Sequence, residues 1–140
     1  MRRTTLLLVA MGCLLVIFAG VAVAVSGTGT NTKDQPKLSS TADKYAGGGG
    51  NDIIDGKQGN DVLFGDHGNV DTIDGGADDD FLNSADSVGG DRVTAGGNTA
   101  AGDVCVVDEG DEINGTSAPA IHPPGTAIGT CEEVYVVPNP

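Results

Sequence analysis

Residues 47–83 read GGGGNDIID (47–55), GKQGNDVLF (56–64), GDHGNVDTID (65–74) and GGADDDFLN (75–83). Aligned on an aspartate, the four pieces are variants of one nonapeptide, G-G-x-G-x-D-x-U-x, in which U is a large apolar residue. The aspartates are Asp52, Asp61, Asp71 and Asp80, and the apolar residues two places on are Ile54, Leu63, Ile73 and Leu82. The third copy carries one extra residue, Val70. Weaker copies follow, pairing Asp91 with Val93, Asp103 with Cys105 and Asp111 with Ile113. Composition alone gives a Gly/Asp-rich linker no reason to keep an apolar residue in phase through four copies.

The spacing has a physical reading. Glycines such as Gly48, Gly50 and Gly59 admit the left-handed dihedrals of a tight turn. Such a turn aims backbone carbonyls at one spot, and the aspartate adds a carboxylate. Several hard oxygens in flexible geometry suit Ca²⁺. The candidate metal ligands are Asp52, Asp61, Asp71, Asp80 and Asp91, with the turns at Gly48, Gly50 and Gly59. The x-U-x tail is long enough only for a short strand, with U on one face and its neighbours on the other. Two nonapeptides then make one coil, and turns two repeats apart stack. That predicts one stack of Asp52, Asp71 and Asp91, and another of Asp61, Asp80 and Asp103.

On these residues the stretch resembles the hemolysin-type (RTX) calcium-binding repeat. The resemblance implies an all-β fold, a parallel β-roll, with Ca²⁺ between stacked turns held by the sixth-position aspartates and turn carbonyls. It covers about half of the chain that follows Ala24. The later copies lack full glycine pairs and depart from the pattern.

The rest of the chain is read around this core. One hundred and forty residues leave room for one domain, and the formal charge of −13 disfavours nucleic acid as a partner. The same acidity fits a protein that collects cations. Residues 1–24 read as a signal peptide: Arg2 and Arg3, an apolar run from Leu6, and an A-x-A site at Ala22-Val23-Ala24. A membrane contact follows only if that segment stays uncleaved as an anchor. Residues 25–46 are polar and show no strand or helix period, which predicts a flexible linker. The roll is expected over 47–114, with a Pro/Gly loop and a capping strand over 115–140.

Cys105 and Cys131 are an even pair in an exported chain, which points to a disulfide. It would staple the strand starting at Cys131 onto the last coil and cover the open end of the roll.

No catalytic motif is present. There is no H-E-x-x-H, no G-x-S-x-G and no P-loop. An EF-hand frame begun at Asn51 would put Ile53 and Val62 where oxygen ligands belong. His67 and His122 fall in loops. The expected function is that of a secreted, non-enzymatic calcium-binding module, structural or interacting, whose folding is coupled to Ca²⁺. Its expected place is outside the cell or on its surface. Two further readings are an adhesion surface and an accessory piece of a hydrolase. The outward pairs, among them Ile53/Asp55, Val62/Phe64 and Phe81/Asn83, form no regular Thr/Asn array of the kind ice binding uses.

Overall fold

The computed structural model describes residues 23–97, 101–118 and 124–140. The leader expected over 1–24 therefore lies almost wholly outside the described residues, as does His122. No helix occurs among the described residues.

The chain winds as a parallel β-solenoid whose strands, from the second to the ninth, alternate between two sheets. One sheet receives β1 (Ser26–Thr28), β2 (Lys44–Ala46), β4 (Val62–Phe64), β6 (Phe81–Asn83), β8 (Asp103–Asp108), β11 (Thr126–Ile128) and β12 (Cys131–Val137). The other receives β3 (Ile53–Asp55), β5 (Thr72–Ala77), β7 (Arg92–Gly97), β9 (Glu112–Ile113) and β10 (Thr116–Ser117). Pairing is parallel except where β10 turns back on β9 and β11 on β12.

The register follows the nonapeptide. Tyr45, Leu63, Leu82, Cys105 and Val134 are successive Cα partners in the first sheet, and Ile54, Ile73, Val93 and Ile113 in the second. From Ile54 onward, every member of these two rows is at most 1% exposed, and Tyr45 packs against them. One apolar residue per repeat thus builds the spine of the core, to which Leu38, Ala95, Val107, Ala118 and Cys131 add. The insertions do not disturb this register. Val70 and Val88, in the lengthened turns, are 42% and 43% exposed. The extra chain leaves at the corner while the strands stay paired.

Residues 25–46 are not a linker. They supply β1, β2 and two turns of the same winding, and Leu38 is buried in the core. The reason is visible once the nonapeptide frame is carried back from Gly47. GTNTKDQPK (29–37) and LSSTADKYA (38–46) are two further copies in phase, with Asp34 and Asp43 at position six. Pro36 falls at the core position of the first. It has no N–H to give a ladder, and the segment around it forms no strand, although Ile53 donates to the carbonyl of Asp34 at 3.0 Å.

At the other end, a disulfide joins Cys105 in β8 to Cys131 in β12, with 5.9 Å between Cα atoms. Val134 covers Cys105 in register. The outward apolar residues Ile53, Val62, Phe64 and Phe81 are half-buried, and the rings of Phe64 and Phe81 lie 5.9 Å apart.

Candidate metal centre

Turns two repeats apart deliver their aspartates to the same corner of the coil, so the carboxylates form two columns. In one, the Asp34 amide donates to Asp52 Oδ1 at 2.7 Å, Asp52 to Asp71 at 2.8 Å, Asp71 to Asp91 at 2.7 Å and Asp91 to Asp111 at 3.0 Å. In the other, Asp43 donates to Asp61 at 2.7 Å, Asp61 to Asp80 at 2.9 Å, Asp80 to Asp103 at 2.8 Å and Asp103 to Glu132 Oε2 at 2.8 Å. These bonds occupy one oxygen of each carboxyl and fix its direction.

The second oxygen has a different environment. Oδ2 of Asp52, Asp61, Asp71, Asp80 and Asp91 is buried and accepts no hydrogen bond. Buried polar atoms are ordinarily paired, and an ionised one left bare is costly. All five side chains are at most 3% exposed.

The space facing these oxygens is shaped by glycine. A Cβ on Gly47 would collide with Asp52 Oδ2 and stand 2.6 Å from the carbonyl oxygen of Gly65. One on Gly56 would collide with Asp61 Oδ2 and the carbonyl oxygen of Gly75. One on Gly75 would collide with Asp80 Oδ2 and approach the carbonyl oxygen of Ala95 to 2.8 Å. The bare oxygens of Asp52, Asp61 and Asp80 therefore each share a cradle with a carbonyl of the next coil, and that of Asp71 faces Gly65. Gly48, Gly50 and Gly59 have φ of +94°, +120° and +103°, which turn the backbone through this corner. A side chain at any of the three would press on the preceding turn, at the backbone of Thr30, Thr32 or Thr41.

The electrostatics agree with the geometry. Burial outweighs the amide bond each carboxyl accepts, and neighbouring carboxylates add to it. Asp61 and Asp71 are pushed up to about 6, and Asp80 and Asp91 up to about 7. Burial also raises Asp52. Asp43 differs: burial pushes it up, but bonds from Val25 and Ser39 and the Lys57 charge outweigh that and hold it below the usual range.

No three His, Cys, Asp or Glu side chains converge on a metal-sized point among the described residues. Carbonyl oxygens would have to supply most of the ligands, which excludes thiolate or imidazole chemistry and suits Ca²⁺. The residues present fit that ion. A cation in the cradle would reverse the proton affinity of the bare oxygens and keep them ionised.

Asp34, Asp43 and Glu132 belong to the columns but were not anticipated. The nine-residue phase was the available signal for the first two. Glu132 comes from β12, outside any repeat, and nothing in its surroundings marks it. His67 is exposed in its turn.

The family described as RTX calcium-binding nonapeptide repeat (4 copies) matches the chain at residues 39–70, 46–82 and 70–86. The match begins within the segment read as a linker. No curated protein and no solved structure matches the chain.

Proposed function

Starting from a chain that carries RTX calcium-binding nonapeptide repeats, we propose a secreted calcium-holding β-roll whose folding is completed by the ions it takes up. The observation that carries this reading is the set of bare, buried Oδ2 atoms, those of Asp52, Asp61 and Asp80 each facing a glycine-shaped cradle with a carbonyl of the next coil. Asp52, Asp61, Asp71, Asp80 and Asp91 are the side-chain ligands. The turns at Gly48, Gly50 and Gly59 set the path that brings carbonyls to them.

Without a cation, stacked carboxylates confront each other across single coils. Either they take up protons or the coils part. With one, the repulsion becomes ligation, so metal affinity and folding are one free energy. The disulfide supports an oxidising compartment, and extracellular modules of this kind work at Ca²⁺ near about 10⁻⁴–10⁻³ M. The role is structural or binding rather than catalytic: the buried carboxylates face a closed cradle and not a substrate cleft.

Circular dichroism tests the reading. The protein should gain β-structure between chelator and about 10 mM Ca²⁺, with far weaker response to Mg²⁺, which demands stricter geometry. A spectrum unchanged by Ca²⁺ refutes coupled folding.

A further inference from the structure

The two N-terminal turns carry the aspartate of the repeat but not the glycines of its second and fourth positions. Position two is Thr30 in one and Ser39 in the other, and position four is Thr32 and Thr41. None of these four residues has a positive φ, whereas Gly48, Gly50, Lys57 and Gly59, at the same positions of the next turns, all do. The backbone therefore takes a different path and does not aim its carbonyls in the same way.

The carboxylates are also differently served. Asp34 Oδ2 accepts from the Thr30 amide at 2.5 Å and the Thr30 hydroxyl at 2.9 Å. Asp43 Oδ2 accepts from the Ser39 amide at 2.6 Å, and its Oδ1 from the Ser39 hydroxyl at 2.8 Å and the Val25 amide at 2.5 Å. Thr30 meets Thr32, and Ser39 meets Thr41, hydroxyl to hydroxyl at 3.0 Å in both. Neither Oδ2 is left bare, in contrast to Asp52 and Asp61. Over the second turn a fixed cation is already present: Lys57 Nζ donates to the Leu38 carbonyl at 2.5 Å. Leu38 itself stands where later copies have the cradle glycine. The far end of the Asp34 column repeats the device, with Ser84 Oγ donating to Asp111 Oδ2 at 2.8 Å.

We propose that the turns at 29–34 and 38–43 are calcium-free by construction, with the Thr30/Thr32 and Ser39/Thr41 hydroxyls and the Lys57 ammonium taking the place that the cation has further along. This rests on the reading that the glycine turns bind Ca²⁺. It assigns Thr30, Thr32, Ser39 and Thr41 as the residues that decide where the ion columns begin. Each of these two turns is thus finished by the chain's own donors and presents an already hydrogen-bonded carboxylate to the first ion-holding turn.

Column one allows the assignment to be reversed. Gly29 already occupies position one, and the Gly47 carbonyl already lies where its Cβ would be. The double substitution T30G/T32G completes the G-G-x-G-x-D pattern around Asp34. Bound Ca²⁺ per chain is counted by calorimetry and by metal analysis after equilibrium dialysis. T30G/T32G should bind one ion more than the parent, and D43N should bind the same number as the parent. An unchanged count in folded T30G/T32G, or the loss of one ion in D43N, overturns the proposal. Should T30G/T32G fail to fold, D43N alone decides it. A parent that binds no Ca²⁺ brings down the underlying reading and this one with it, whereas a parent that binds normally confines a negative result to the hydroxyl turns.

Discussion

The two oxygens of one aspartate do different work in this roll. Oδ1 accepts an amide of the preceding coil, and Oδ2 waits in a cradle. The bare oxygen raises proton affinity, and this has a pH signature. The unfolded chain releases these protons near pH 3.9, while folded Asp61 and Asp71 hold them to about 6 and Asp80 and Asp91 to about 7. Across that window the cation-free fold binds more protons than the unfolded chain, so its stability falls as pH rises. In chelator the protein should therefore be more structured at about pH 5 than at about pH 8, and Ca²⁺ affinity should change in the opposite sense as protons compete for Oδ2. Thermal melts in chelator at both values check this; equal melts would show that the bare oxygens are hydrated. The glycine facing Oδ2 can be tested at the same scale. Gly56 has no positive φ, so Gly56→Ala adds little backbone strain of its own but fills the cradle of Asp61. The expected result is the loss of one bound ion per chain.

The strands β3, β4 and β6 are three residues long because one buried residue per strand is all the repeat provides. A three-residue strand such as β4 has little stability alone and depends on the ladder above and below it. This is why the repeat was legible over 47–83 and not before. There the glycines, the aspartate and the apolar residue all kept step. Over 29–46 only the aspartate and Gly29 did, because hydroxyls can serve a carboxylate as a cation does, and because Pro36 and Tyr45 replace the aliphatic core residue. The closing strand was legible from its valines and from the cysteine parity. Glu132 was not, since a glutamate reaches the same amide from a differently placed backbone. The disulfide stands where the repeats have decayed. Its 26-residue loop should contribute about 3.5 kcal/mol in the chain-entropy model. Denaturant titration in saturating Ca²⁺, with and without reductant, should show a loss of about that size, and unchanged midpoints would mean that β12 is held by packing alone.

Across the whole molecule, two columns of carboxylates run along opposite corners of a core one residue thick. A chain of formal charge −13 can stack them only where protons, hydroxyls, lysine or a metal ion answer each one. The same columns also have a sense of direction. Every amide in them donates toward the C-terminal neighbour, from Asp34 through Asp52, Asp71 and Asp91 to Asp111. Damage must then travel one way. Asp71→Ala removes the acceptor of the Asp52 amide, while the amide of residue 71 keeps its bond to Asp91. Hydrogen exchange in saturating Ca²⁺ should quicken at residue 52 and upstream of it before it does at residue 91. Such a vectorial chain resembles a row of leaning dominoes: pulling one out loosens only those that rest upon it.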